Sequence, residues 1–290
     1  MRPQTTVARP VRVSGVALHS GRHVETVLSP APPNHGIAFW RQDAEALVPA
    51  LVEQAGRFDH ATSLGAPGRE MATVEHLLSA AFGIGLDNLL VDVSEGELPI
   101  LDGSAAPWLA LFREAGLVRQ GVPVRPFVPS RPVQVVGGPG RRIEIRPASD
   151  LRITYTIAFP NAVVGRQSIT VVITPESYAR HLAPARTFGF LSEYETMKVH
   201  GLARGASPSN CIVVGPDRVE NGVLRFPDEF VRHKALDLLG DLALLGRPLL
   251  GHIVAHRAGH SLHASLVRRL RDEMLAAPQA EDAGVALRSR

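Results

Sequence analysis

The chain is poor in several features that define other classes of protein. Cys211 is the only cysteine among 290 residues, so no internal disulfide can form. That fits a reducing compartment and points to the cytoplasm. No stretch is apolar enough to span a bilayer. The longest apolar region, residues 235–255, is broken by Asp237, Asp241, Arg247 and Pro248. Near the start, Arg2, Pro3, Gln4 and Arg9 interrupt the apolar core that an export signal needs. Charge of one sign is missing too. A net charge of +3 without a basic tract argues against a nucleic-acid partner, yet allows an acidic ligand such as a diphosphate. Lysine is nearly absent: Lys198 and Lys234 stand alone among many arginines, which raises the question of their roles. The remaining balance, 45% hydrophobic and 20% charged, is that of a folded chain long enough for one large domain or two. Periodicity fades over residues 276–290.

Residues 7–52 alternate polar and apolar between turn signals such as Ser20-Gly21 and Pro32-Pro33-Asn34, which predicts antiparallel strands. The spacing then predicts a helix over 73–82, with Thr73 as N-cap and Gly83 as stop. A strand over 89–93 and a helix over 106–115, closed by Gly116, follow. Pro123, Pro126, Pro129 and Pro132 mark residues 121–132 as a linker. Two domains are therefore expected, 1–122 and 123–290. The second half carries predicted strands at 133–136, 142–145, 152–159, 168–173, 212–214 and 251–256. Its predicted helices cover 175–182, 227–245 and 261–275. No repeat of residue identity links the halves. Strands followed by helices in each half predict the α+β class rather than a wound parallel sheet.

The helix over 227–245 is unusual. At ~100° per residue, Phe230, His233, Asp237 and Asp241 share one stripe, with Lys234 at its edge. The rest of the circumference is nearly all apolar, the reverse of a surface helix. The stripe is either the solvent face or a row of buried ionisable groups, which would need partners or a metal. A His and an Asp four residues apart can reach one ion, and a hydrolytic zinc site takes three protein ligands. His76 is the best third candidate, because Glu75 beside it could serve an attacking water. A packed histidine fits that position as well. In His256-Arg257-Ala258-Gly259-His260, Gly259 lets the chain turn and present His260. If Asp241 held it charged, His260 could protonate a leaving amine; a capping histidine is the plainer alternative.

Six stretches carry a resemblance. They are VSGVALHSG (13–21), ATVEHLLSAAFGIGLDN (72–88), ELPILDGSAAPW (97–108), APARTFGF (183–190), FPDEFVRHKALDLLGDLALLG (226–246) and GHSLH (259–263). In this order, from end to end, they resemble the UDP-3-O-acyl-N-acetylglucosamine deacetylase family of lipid A biosynthesis in Gram-negative bacteria. The resemblance implies two similar α+β domains packed sheet to sheet, an α-β-β-α sandwich with the active site at the junction. It implies zinc on His76, His233 and Asp237, a donor set that also suits ferrous iron. It implies Glu75 as general base, His260 as acid with Asp241 as its partner, and Thr187 as a hydroxyl that polarises the amide carbonyl. Phe188 lies in the substrate cleft by the same resemblance, Lys234 approaches the nucleotide and Phe159 the uracil. An insert over about 191–214, reading helix, turn, strand, would line a passage for the acyl chain. The implied substrate is the acylated UDP-N-acetylglucosamine, turned over by a monomer with peripheral contact to membrane or acyl lipid. Two departures bear on substrate fit: His60 in FDHATSL, and FPNAVVGRQ (159–167), which lacks a histidine usual in the family. Rival readings are a paralogue that binds the sugar nucleotide without turnover, and a related zinc amidase. The intact set Glu75, His76, His233, Asp237 and His260 speaks against the first.

Overall fold

A computed structural model of the chain describes residues 1–56 and 61–276. His60 and the C-terminal stretch 277–290 lie outside the described residues. The first half runs β1 (Arg2–Val7), β2 (Val11–Val16), β3 (His23–Pro30), β4 (Ile37–Arg41), β5 (Ala46–Pro49), β6 (Ser63–Leu64), β7 (Met71–Ala72), α1 (Glu75–Ile84), β8 (Leu89–Val93), α2 (Ala106–Ala115) and β9 (Leu117–Val124). The second runs β10 (Val133–Val136), β11 (Arg142–Arg146), β12 (Leu151–Ala158), β13 (Arg166–Val172), α3 (Pro175–His181), β14 (Phe188–Phe190), α4 (Leu191–Val199), β15 (Ile212–Val214), α5 (Glu229–Ala243), β16 (Gly251–His256) and α6 (His260–Ala276).

The fold is α+β, with two sheet-rich halves. Their five-stranded sheets have one topology. The orders are β2-β3-β8-β4-β5 and β10-β11-β16-β12-β13. In each, the last strand to arrive slots between two hairpins, antiparallel to one and parallel to the other. The repetition is of architecture, not of residues. β9 takes in the start of the proline-rich stretch and pairs with β1.

The order of the layers departs from expectation: the helices lie inside and the sheets outside. Along β12, Leu151, Ile153, Tyr155 and Ile157 are buried. Thr154 and Thr156 point outward and bond Thr170 and Ser168 on β13, each at 3.0 Å. α5 and α6 cover the dry face of this sheet, and α1 packs along α5. The physical reason lies in α5 itself. From Phe230 to Leu242 only Arg232 and Lys234 escape full burial, so this helix cannot form an outer layer. Gly240 sets how closely α1 and α5 approach. A Cβ there would collide with the carbonyl oxygen of Glu75.

The start of α1 is also different. Thr73 is not a cap; it takes a left-handed φ of 58° and its hydroxyl donates to Glu97 at 3.1 Å. Val74 is the N-cap, without a side-chain bond. This left-handed residue turns the chain sharply from β7 into α1 and aims Glu75 and His76 inward. Gly83 is not the stop. It sits within α1, where its missing side chain makes room for the Tyr178 ring, and Gly85 ends the helix with φ 73°.

Candidate active site

Because α1 begins where α5 passes, His76 meets His233 and Asp237. The two imidazoles stand edge to face with centroids 5.1 Å apart. Asp237 Oδ1 lies 3.2 Å from His233 Nε2 and 3.8 Å from His76 Nε2. All three residues are buried, and one donor atom from each lies within 4.8 Å of the others. Several features suit a cation here. Asp237 Oδ1 is buried yet has no hydrogen-bond partner, a cost that a metal bond would remove. The backbone carbonyl of Ala185 accepts from His233 Nδ1 at 3.1 Å, which leaves the Nε2 lone pair free. Burial, with His233 adding to it, pushes His76 down to about 3. Burial lowers His233 as well, so both rings are neutral, the form that ligates. Burial opposes ionisation of Asp237, but His233 and then Lys234 outweigh it and keep the carboxylate charged. Lys234 Nζ donates to Asp237 Oδ2 at 2.6 Å.

Glu75, 3% exposed, accepts from the Thr62 backbone N–H at 3.2 Å. Burial pushes its carboxyl up to about 7, against an opposing pull from His260. A carboxylate poised there suits proton abstraction at neutral pH. His260, at the head of α6, is bonded through Nδ1 to Asp241 Oδ2 at 2.8 Å. Burial alone would lower His260, but Asp241 outweighs it and holds the imidazolium up to about 9. Asp241 is fully buried behind His260, outside the cleft lining.

The other residues singled out from sequence lie along one cleft of about 420 Å³, lined by Glu75, His76, His233, Asp237 and His260 at one end. Thr187, Phe188, Phe159 and Lys234 line it too. Phe188 is the hub of an aromatic cluster, 4.9 Å from Phe230 and 6.0 Å from Phe159 between centroids, with the Lys234 ammonium 5.8 Å from its ring. Thr187 is strapped at both backbone ends, its N–H donating to Gly103 and its carbonyl accepting from Ile212, each at 2.8 Å. Beyond the aromatic cluster the wall turns apolar, with Leu191, Tyr194, Met197, Ala203 and Val213.

Three residues at the site escaped the sequence reading. His263 Nδ1 also bonds Asp241 Oδ2, at 2.8 Å, and Tyr155 OH lies 3.0 Å from His263 Nε2. The two histidines of GHSLH are three apart, hence on one helix face, and that spacing was the available signal. Thr62, from the loop before β6, donates its hydroxyl to Asp241 Oδ1 at 2.6 Å. A lone threonine in a loop leaves no such trace.

Two neutral imidazoles and a carboxylate at one point, a buried carboxyl beside them and a charged histidine opposite define a hydrolase site suited to a metal. Comparison with known proteins carries this to a family. Residues 4–272 match the family described as UDP-3-O-acyl N-acetylglycosamine deacetylase, and the chain belongs to it. It is thus an amide-cleaving deacetylase. It is 45% identical over 277 residues to a UDP-3-O-acyl-N-acetylglucosamine deacetylase of Myxococcus xanthus, covering 93% of this chain and 88% of that one. The protein of the same name from Solibacter usitatus is 47% identical over 274 residues, with coverage of 93% and 92%. That of Thermosynechococcus vestitus is 43% identical over 269 residues, with coverage of 92% and 93%.

Proposed function

We propose that the chain removes the N-acetyl group from UDP-3-O-(3-hydroxyacyl)-N-acetylglucosamine during lipid A synthesis, with zinc on His76, His233 and Asp237. The observation that carries the metal is the buried, unpartnered Asp237 Oδ1 facing two imidazole Nε2 atoms. A divalent cation there would supply Lewis-acid polarisation of the acetyl carbonyl and make water more acidic. Glu75 takes a proton from the attacking water, whose oxygen bonds to the acetyl carbon. His260, kept charged by Asp241, donates to the oxyanion that forms, with Thr187 as a second donor. Each well-placed donor of this kind contributes roughly 3–4 kcal/mol. The carbon–nitrogen bond breaks, His260 passes its proton to the leaving amine, and acetate departs. Lys234 and the Phe159–Phe188 pair serve the nucleotide, and the apolar wall takes the acyl chain. The N-terminal part, residues 1–122, contributes Glu75 and His76; residues 123–290 contribute the rest. The reading has a monomer at work in the cytoplasm, drawing on peripheral lipid contact through its substrate.

Acetate release from the acylated UDP sugar tests this. One acetate per free amine is expected, abolished by a strong chelator and restored by zinc. Release at full rate from metal-stripped protein, or none from the zinc-loaded form, would refute it.

A further inference from the structure

Thr62, in the loop before β6, joins the two proton-handling groups of the site. It is completely buried. Its hydroxyl lies 2.6 Å from Asp241 Oδ1 and 3.1 Å from His260 Nδ1, and its backbone N–H lies 3.2 Å from Glu75 Oε2. A hydroxyl has a single proton to give. A carboxylate can only accept, so that proton goes to Asp241. Toward His260 the Thr62 oxygen can then only accept. Nδ1 of His260 must carry a hydrogen, shared between Asp241 Oδ2 at 2.8 Å and Thr62 Oγ1. One residue thus orients the Asp241 carboxylate, gives the His260 Nδ1–H a second acceptor and, through its own backbone, anchors the Glu75 carboxylate.

We propose that Thr62 is a positioning residue for the deacetylation: its hydroxyl locks the Asp241 carboxylate and the Nδ1–H of His260 in one plane, so that the other ring nitrogen is aimed into the site at a set separation from Glu75. This rests on the function proposed above. A packing role would predict something else, because Val matches Thr in shape and Ser does not. The hydroxyl, not the methyl, carries the positioning.

The test compares Thr62→Val with Thr62→Ser in the full-length, zinc-loaded protein. Neither substitution removes the backbone N–H that Glu75 accepts. Thr62→Val should lower kcat by about 10- to 100-fold, a part of the roughly 10²- to 10⁴-fold that a positioned general acid or base contributes, with KM and bound zinc little changed. Thr62→Ser should keep most of the wild-type kcat despite the lost methyl. In a His260→Ala background Thr62→Val should cost little further, since residues that act as one unit are not additive. A second readout needs no turnover. In protein with ¹⁵N-labelled histidine, the Nδ1–H resonance of His260, assigned by its absence from His260→Ala, should move in Thr62→Val and stay in Thr62→Ser. An unmoved resonance in Thr62→Val overturns the proposal, whatever the activity. So does a kcat for Thr62→Val at or above that of Thr62→Ser. Absence of acetate release in the wild type would instead count against the substrate reading, and the resonance alone would then decide the role of Thr62.

Discussion

Four side chains at the proposed metal site are each held by a second group, and the bonds differ in what they make possible. His233 is fixed by the Ala185 carbonyl, Asp237 by Lys234, and His260 by Asp241. Glu75 is held by one long bond, from the Thr62 N–H. A base that must accept a proton and release it is better served by loose holding than by a salt bridge. Glu75→Gln keeps the shape and removes the basicity. It should retain zinc and lose turnover by about 10²- to 10⁴-fold, read as acetate release against elemental zinc content. Loss of zinc in this variant would make Glu75 a ligand instead. At this scale much was legible in the sequence. The ionisable stripe of the long helix and the Glu75-His76 pair stood out because charge is rare in an apolar context. Thr62 and Tyr155 did not, since a hydroxyl finds its partner only through the tertiary fold.

At the scale of elements, the crossing of α1 and α5 makes the site. Gly240 permits it. Gly240→Ala places a methyl against the Glu75 carbonyl and must push the two helices apart. Overpacking of this kind costs about 1–3 kcal/mol. Here it should also weaken zinc affinity, because it moves His76 away from His233. Gly121→Ala, where a Cβ meets nothing within 4 Å, is the control. Equal melting temperatures for Gly240→Ala and wild type would contradict the crossing as described. The start of α5 is pinned by Glu229, fully buried, which accepts from Arg186 Nε at 2.9 Å and from the backbone N–H groups of Arg186 and Arg225 at 3.0 and 2.6 Å. Burial would raise this carboxyl, but Arg186 leads the groups that hold it below its ordinary value. A lowered folded value means stability that is present above the unfolded carboxylate range, about pH 4–5, and lost as pH falls through the folded value. The gap in melting temperature between wild type and Glu229→Gln should therefore be widest near neutral pH and shrink as the solution is acidified. A constant gap would show that the charge contributes nothing. The strands and helices themselves were largely readable from periodicity. The turn into α1 was not. A threonine before a helix reads as a cap, whereas here its hydroxyl bonds Glu97 and the residue takes a left-handed φ.

For the whole molecule, two copies of one topology face each other through their helices, and the two halves bring the proposed metal ligands to the seam between them. The layer order differs from the one the resemblance implies, and the residues of α5 give the reason: a helix apolar round nearly its full circumference belongs in the middle. Repeated topology could not be read from residues, because each half keeps only the alternation of its strands. Among the described residues no helix is long and apolar enough to cross a membrane. The account stands on one ion shared by both halves, and zinc titration into chelator-stripped protein, followed by calorimetry, tests it most directly. Wild type should bind one zinc per chain at this site, and His76→Ala and His233→Ala, one from each half, should both lose that binding. Zinc bound by His76→Ala as tightly as by wild type would contradict it.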